Sequence, residues 1–387
     1  MKRWKLDRRA LIVAGASALL AGCQIIPTGP TTSTRPAPTP TPEPSESGLP
    51  DDDDHHRVAL LVPMSGNNGA VGQSIANATT MALLDTNADN LRITTYDTST
   101  NARDAARRAI ADGNKLILGP LLGENVGPVV AEARTADVPL ISFSNDTSVA
   151  GPNVFIMGHI PEQSIARSVG YARQRGAANF AAIVPDGEYG RRAEAALSAA
   201  VLDSGGQVVA TESYTRSNTS VVSAAQRLAQ EGGFDTVLIG DGARLATLAA
   251  RELRSDGGTM QILGTELWSG ESAVTTADAL RGALFSAVSD ARFKRFSDSY
   301  RSRFGSQPYR ISTLGYDGVL LALRIAEDWQ IGSDFPVSRL RDPSGFLGLD
   351  GPFRFQRNGV IERAMEVREI RDGEVVIVSP APSGFGG

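Results

Sequence analysis

Few residue types that drive enzymatic or metal chemistry occur in this chain. It has one cysteine, Cys23, and three histidines among 387 residues. A single cysteine excludes an intramolecular disulfide and a cysteine zinc cluster. The sequence contains no G-x-S-x-G, H-E-x-x-H, P-loop or G-x-G-x-x-G motif, and His159 has no evident nucleophile as a partner. We therefore expect no catalytic residue, no metal ion, no cofactor and no enzymatic activity.

The one run of candidate metal ligands extends from Asp51 to His56 and joins four aspartates to two histidines. Adjacent residues of a flexible chain cannot converge on one ion unless a scaffold folds them around it. The favoured interpretation is therefore a solvated charge run, with a divalent metal site as the alternative.

The net charge and the amino-acid composition exclude further classes of function. The formal net charge is -5, and no segment supplies the basic stripe that nucleic acid phosphates require. With 41% hydrophobic and 21% charged residues, the composition is typical of globular proteins and excludes a membrane protein with many spans. The charge therefore predicts no nucleic acid partner, and a chain of this length predicts two domains.

The lone cysteine closes an N-terminal export signal. Five basic residues precede an uncharged run over residues 10–20, which leads to Leu20-Ala21-Gly22-Cys23. The run is too short for a transmembrane helix, which needs about 20 apolar residues. The segment resembles a bacterial lipoprotein signal peptide, and this resemblance implies removal of residues 1–22 and lipidation of Cys23. The alternative is an ordinary buried cysteine.

The residue after Cys23 indicates which membrane would hold the lipid. In the sorting rule of enteric lipoproteins, an aspartate at this position retains the protein at the inner membrane, and Gln24 stands here instead. The resemblance therefore implies the periplasmic face of the outer membrane, provided that the cell has two membranes.

Residues 23–56 are predicted to form a tether. Eight of the 21 prolines lie between Pro27 and Pro50, interleaved with threonine, serine and glutamate. Proline-rich chain is extended, at about 3.1 Å per residue, so this segment could reach on the order of 100 Å. A folded domain beyond it could stand well away from its membrane.

From residue 57 onward, short apolar runs alternate with helical periods, which predicts parallel strands covered by helices. The predicted strands of a first unit are residues 58–62, 91–96, 115–118 and 138–142, and those of a second unit are 180–184, 207–211, 236–239 and 261–263. Two helical stretches at 290–304 and 312–329, strands at 353–356, 364–370 and 375–378, and a disordered tail at 379–387 follow.

In open α/β sheets, the binding crevice lies beyond the carboxyl ends of the strands. The candidate residues in the loops that follow the predicted strands are Ser65, Gly119, Leu121, Ser142, Ser144, Asn145, Asp146, Tyr189, Glu266 and Trp268. Trp268 is either a platform for a ligand or a packing residue, since large aromatics are usually well buried.

Over residues 57–378 the chain resembles the type I periplasmic binding proteins, the superfamily of branched-chain amino acid receptors. Segments 58–66, 116–121, 138–144 and 188–190 carry the resemblance in order and spacing. It implies an α/β fold of two lobes, each a doubly wound and mostly parallel sheet, which close on a ligand about a hinge. Lobe 1 is expected at 57–153 plus 290–330, lobe 2 at 154–287, and C-terminal strands at 351–378.

The same resemblance implies that a serine-rich turn after the third strand and a serine or threonine after the fourth strand hold the carboxylate of an amino acid. The turn at residues 121–125 has no hydroxyl, and Glu124 and Asp146 would repel a bound carboxylate. Amino acid binding is therefore in doubt. Alternatively, Glu124 caps the following helix and Asp146 starts a loop, which leaves Ser144 free to bind.

Three functional hypotheses follow. The amino-acid sequence of residues 61–66 and 117–121 is similar to that of the LpoA-like lipoprotein activators of penicillin-binding proteins. This implies an outer-membrane lipoprotein that docks onto a bifunctional penicillin-binding protein and so regulates peptidoglycan synthesis. The alternative is a lipid-anchored substrate-binding protein of an ABC importer for amino acids or related solutes. A third hypothesis, a regulator that senses a solute in its cleft, combines the two.

Overall fold

The structure, a computed structural model, describes residues 54–255 and 257–385. The export signal, Cys23, Gln24 and the tether up to residue 53 lie outside these residues, so the statements made about them remain predictions. The described chain forms two lobes, each built on its own β-sheet with helices between the strands.

Lobe 1 contains a five-stranded parallel sheet in the order β2-β1-β3-β4-β5. Six of the seven residues of β1 are buried, as expected for a parallel strand that helices cover on both sides. The strands are β1 (His56–Val62), β2 (Leu91–Asp97), β3 (Leu116–Leu118), β4 (Leu140–Ser142) and β5 (Val154–Ile156), with helices α1 (Gly69–Thr86), α2 (Ala102–Ala111) and α3 (Gly123–Ala133) between them.

Lobe 2 contains a seven-stranded sheet in the order β15-β14-β10-β9-β8-β6-β7. The five strands from β6 to β10 are parallel to one another. The last two strands of the chain add to the β10 edge of this sheet in antiparallel orientation. The elements are α4 (Pro161–Gln174), β6 (Asn179–Pro185), α5 (Glu188–Asp203), β7 (Gln207–Tyr214), α6 (Asn218–Glu231), β8 (Thr236–Ile239), α7 (Ala243–Leu253), β9 (Gln261–Leu263) and β10 (Leu284–Val288).

After β10 the chain returns to lobe 1 and later leaves it again. Helix α9 packs along α1, and its residues Leu314 and Val319 share one hydrophobic core with β1. The returning elements are α8 (Phe293–Phe304), α9 (Thr313–Ala326) and a small antiparallel sheet of β11 (Phe346–Gly348), β12 (Gly351–Phe355) and β13 (Ile361–Arg363), before β14 (Met365–Arg371) and β15 (Glu374–Ser379) enter lobe 2.

Within the described residues, the chain thus passes between the lobes three times. The first crossover is residues 157–160, the second is residues 289–292, and the third is Ala364. The expected α/β fold with two lobes and parallel sheets is confirmed.

Three boundaries differ from the sequence expectation. Strand β5 pairs with β4, so lobe 1 extends to Ile156 rather than ending at residue 153. The C-terminal strands are divided between the lobes, since β14 pairs with β10 of lobe 2 whereas β12 lies in the small sheet. The tail predicted as disordered begins inside β15, and the ring of Phe385 packs under the guanidinium of Arg354.

Both lobes begin with the same close contact between a helix and a strand end. A Cβ on Gly72 of α1 would lie 1.8 Å from the carbonyl oxygen of Pro63, just after β1. A Cβ on Gly190 of α5 would lie 1.7 Å from the carbonyl oxygen of Pro185, the last residue of β6. Only glycine allows each helix to approach its strand so closely.

Gly190→Ala should therefore destabilise the protein. The added methyl group meets backbone atoms that cannot rotate away, so the helix has to shift, at a cost of about 1–3 kcal/mol. Gly170→Ala in α4 is the matched control, because a Cβ there would meet no described atom within 4 Å. It should stabilise by about 0.5–1 kcal/mol, since alanine favours helix more than glycine does. Urea unfolding measures both, and equal effects would contradict the packing argument.

Candidate functional site

A cavity of about 440 Å³ lies between the lobes, beyond the carboxyl ends of β3 and β4 in lobe 1 and of β9 in lobe 2. A second cavity of about 450 Å³ is lined by lobe 1 alone, so lobe closure would not enclose it. The cavity between the lobes is lined by Asn68, Val71, Leu121, Leu122, Phe143, Ser144, Asn145, Arg310 and Ile311 of lobe 1, by Glu266, Leu267, Ser269 and Glu271 of lobe 2, and by His159 of the first crossover.

Four of the ten residues predicted for the cleft line this cavity, namely Leu121, Ser144, Asn145 and Glu266. Two others lie behind its wall. The hydroxyl of Ser142 donates to the carbonyl of Pro120 at 2.9 Å and accepts from the amide of Ser144 at 3.1 Å. The Cα of Gly119 faces the carbonyl of Leu61, which a Cβ would approach to 2.2 Å. These residues shape the loops that carry the lining residues.

Ser65, Tyr189 and Trp268 also lie outside the described lining. Ser65 is exposed, and its amide donates to the hydroxyl of Ser99 at 2.9 Å. Trp268 is fully buried, and its Nε1 donates to the carbonyl of Asp241 at 2.9 Å, so the structure places it in the lobe 2 core as a packing residue. Tyr189 contacts the cavity indirectly, through Glu266.

Glu266 combines burial with an unused acceptor. The hydroxyl of Tyr189 lies 3.1 Å from Oε1 of Glu266 and 2.9 Å from the hydroxyl of Thr265. Oε2 of Glu266 is buried and has no hydrogen-bond partner among the described residues. Burial raises the pKa of Glu266 to about 7, although the Tyr189 hydrogen bond acts in the opposite direction. The carboxyl therefore titrates near neutrality and can accept from a donor group in the cavity.

Asp146 occupies the amino end of α3. Its Oδ1 accepts from the amide of Ser148 at 3.0 Å. A Cβ on Gly123, the first residue of α3, would lie 3.3 Å from Oδ2 of Asp146 and 3.1 Å from the hydroxyl of Ser144. A helix N-terminus favours a negative charge. The protein's own carboxylate therefore lies where the helix would otherwise attract a ligand anion. Glu124, in the first turn of the same helix, is exposed.

Three charged or titratable lining residues were absent from the sequence prediction, namely His159, Glu271 and Arg310. Nε2 of His159 lies 2.9 Å from Oδ2 of Asp350, and burial lowers the pKa of His159 in spite of that carboxylate. Nη1 of Arg310 donates to Oδ1 of Asp350 at 2.7 Å. The position of Arg310 between the two helices that return to lobe 1 is the one sequence signal that could have suggested it.

One polar contact joins the lobes across the cavity rim. Arg192 of α5 donates through Nε to Glu162 at 2.7 Å and through Nη2 to Glu162 and to the carbonyl of Asn145, each at 2.8 Å. Asn145 belongs to the loop after β4 in lobe 1, whereas Arg192 and Glu162 belong to lobe 2. The arrangement holds the two lobes together beside the cavity.

Comparison with known proteins identifies this architecture. The family model for periplasmic binding proteins matches residues 56–374. The chain belongs to the periplasmic binding protein family. Members of this family bind solutes and are not enzymes, which confirms the expectation that this protein is no enzyme.

Solved structures of this family superpose along most of the chain. One is a putative branched-chain amino acid ABC transporter protein from Rhodospirillum rubrum, with a TM-score of 0.75, 18% identity, and coverage of 84% of this chain and 100% of that chain. A leucine-binding protein from Thermotoga maritima matches with a TM-score of 0.64, 20% identity, and coverage of 84% and 98%. At these identities the likeness shows the fold.

Two further relatives complete the comparison. A solute-binding protein of an ABC transporter from R. palustris, solved with benzoate, has a TM-score of 0.64, 16% identity, and coverage of 85% and 98%. An uncharacterised protein of Rickettsia prowazekii is 25% identical over 173 residues, which are 44% of this chain. The match spans 46%, about half, of that relative's length.

The described residues show neither a metal site nor a membrane span. No group of three or more metal-ligating side chains occurs in the part of the chain that the structure describes. In that same part, no helix is both long enough and apolar enough to cross a membrane.

Glu266→Gln should flatten the pH dependence of stability. Because burial raises the pKa of Glu266 from its ordinary 4.5 to about 7, the folded state holds this proton more tightly than the unfolded state does. The associated stability is present below pH 4.5 and is lost as pH rises through 7, a change of about 2–3 kcal/mol. Urea unfolding of both proteins between pH 4.5 and 8 measures the difference.

The control for this experiment is Glu271→Gln, which removes an exposed carboxylate from the same cavity. Asp317 also has a pKa raised to about 7 by burial, but it is present in all three proteins and its contribution cancels in the comparison. A constant stability difference between the wild type and Glu266→Gln across this pH range would show that Glu266 is not the titrating group.

Proposed function

We propose that this protein is a solute-binding protein of the ABC importer type, which closes its two lobes on a small molecule. The observation that carries the proposal is the cavity between the lobes, to which each lobe contributes both polar and apolar side chains. The family relationship and the importer-type relatives support it. They support the importer hypothesis better than the hypothesis of a penicillin-binding protein activator.

The cavity wall indicates the chemistry of the solute. Six apolar side chains suit an apolar body, and they are Val71, Leu121, Leu122, Phe143, Leu267 and Ile311. The unpaired Oε2 of Glu266 suits a donor such as an ammonium group. The solute we propose is therefore an amino acid or related compound with a hydrophobic body. Leucine and benzoate are reasonable first candidates, because relatives are described as binding them.

Attachment to a membrane is a separate proposal, supported by the sequence alone. We propose that Cys23 carries the lipid and that residues 24–53 form the tether, with the outer membrane favoured by Gln24. The tether ends before the predicted residue 56, because His56 is buried as the first residue of β1. An importer permease lies in the inner membrane, so a tether that reaches on the order of 100 Å would matter for delivery. Incorporation of labelled palmitate into the wild type but not into Cys23→Ser would support lipidation.

Titration calorimetry tests the binding function. The folded domain, residues 54–387, is titrated with the twenty amino acids and a set of benzoates. We expect micromolar binding of at least one compound and a loss of at least tenfold in Glu266→Gln for ligands that carry an ammonium group, because a buried acceptor would lose its charge. Glu271→Gln is the matched control. No binding of any compound, together with closed lobes in solution scattering, would refute the proposal.

The activator hypothesis remains the second candidate. It is supported by the similarity of residues 61–66 and 117–121 to the activators, by the long tether, and by Asp146 at the α3 N-terminus, where it disfavours a ligand anion. In-cell crosslinking of the full-length lipoprotein distinguishes the candidates. Trapping of permease subunits would support import, whereas trapping of a bifunctional penicillin-binding protein would support regulation of peptidoglycan synthesis.

A further inference from the structure

We propose that Arg310 is the oxyanion-recognising residue of the cleft and that the solute presents a carboxylate to the Nε–Nη2 edge of its guanidinium. This inference rests on the proposed solute-binding function and names the residue that would read the solute's negative charge. It places the anion subsite on the segment between α8 and α9, away from the loops that follow the strands.

The protein provides hydrogen-bond acceptors for only one of the three guanidinium nitrogens of Arg310. Nη1 donates to Asp350 at 2.7 Å and lies 3.2 Å from the hydroxyl of Thr313. Nε and Nη2 are buried and lack hydrogen-bond partners among the described residues. These two nitrogens carry three of the five guanidinium N–H groups and form one edge of the fork. A carboxylate matches that edge with two parallel hydrogen bonds.

The competing acceptor for this edge is Asp290. Its Oδ1 lies 3.3 Å from Nη2 of Arg310 but without hydrogen-bond geometry, and Oδ1 also lacks a partner among the described residues. Oδ2 of Asp290 is already held by Arg368. Asp290 therefore balances part of the charge of Arg310 without satisfying its donors, and Nε has no nearby protein carboxylate in the described ion pairs.

The other cationic features near the cavity are already occupied. Asp146 lies against the N-terminus of α3, and Arg192 is paired with Glu162 and the carbonyl of Asn145. Of the lysines and arginines in the described chain, Arg310 alone lines the cavity. Arg363 also has unpartnered nitrogens, but its side chain is fully buried and does not line the cavity.

Arg310 also lies where the two lobes meet. A Cβ on Gly270 of lobe 2 would lie 3.6 Å from Cδ of Arg310, so the two lobes approach each other closely there. The ring of Phe293, 4.5 Å from Cζ, supports the guanidinium from lobe 1. A carboxylate bound at this edge would therefore lie where the two lobes meet. The hydrogen bonds from Arg310 to Asp350 and Thr313 would fix the orientation of the guanidinium that binds it.

Matched pairs of acids and amides test this without any substitution. The probes for calorimetry are L-leucine, leucinamide, 4-methylpentanoate, 4-methylpentanamide, benzoate and benzamide. We expect at least one acid to bind and its amide to bind at least about 30-fold more weakly, because the amide lacks the two charged oxygens that would accept from the unpaired Nε–Nη2 edge. Equal affinity of acid and amide would overturn the proposal.

Arg310→Lys then assigns the effect to this residue. Lysine keeps the positive charge beside Asp350 but loses the planar fork, so the acid should bind about tenfold more weakly while the affinity of the amide changes little. The matched control is Arg303→Lys, an exposed arginine of α8 that pairs with Asp85 and should leave both affinities unchanged. Thermal unfolding confirms that each variant is folded. An unchanged acid-to-amide ratio in Arg310→Lys would overturn the assignment.

The failure of this proposal and that of the proposed function give different results. If leucinamide or a neutral probe binds but no acid binds better than its amide, solute binding stands and the role of Arg310 is wrong. If no probe binds, and the wider solute panel also fails, both proposals are overturned.

Discussion

The carboxylate of Asp350 connects the crossovers between the lobes to the cleft. It is buried in the described structure, where Oδ1 lies 2.7 Å from Arg310 and Oδ2 lies 2.9 Å from His159 of the first crossover. Nη1 of Arg363, the residue before the third crossover, is 3.9 Å away. Burial by itself would raise the pKa of Asp350, but Arg310, His159 and Arg363 hold it below its usual range. Because a buried charge without partners is strongly destabilising, these segments have to keep a common geometry.

The second crossover belongs to the same network through Asp290. Arg368, just after the third crossover, pairs with Asp290 and with Glu366 at 2.7 Å. The network therefore links all three points at which the described chain changes lobe. It is not fully satisfied, since Nη2 of Arg310 and Oδ1 of Asp290 face each other without a hydrogen bond. This network of charges restrains the lobes by electrostatics as well as by the covalent chain.

Sequence reasoning found the parts of this structure that depend on local pattern. Strand β1 reads as an apolar run because helices cover it, and Ser144 and Glu266 were found because they follow strand ends. Strand β5, only three residues long, was assigned to the wrong lobe because lobe membership depends on pairing with β4, which has no periodic signal. Arg310 was missed for the same reason, since only tertiary packing brings the segment between α8 and α9 to the cavity.

The two unsatisfied groups of the cavity explain why lobe closure would depend on a solute. Glu266 belongs to lobe 2 and Arg310 to lobe 1, and each presents donors or acceptors that the described protein leaves unpaired. These atoms are already buried in the described structure, so over an empty cavity each unmade hydrogen bond costs about 1–3 kcal/mol, and more for a charge. A solute that pairs with both groups removes that penalty. Because neither lobe can satisfy its own group, occupancy and closure are linked by the same electrostatic requirement, and a molecule that meets only one of the two groups leaves part of the penalty in place.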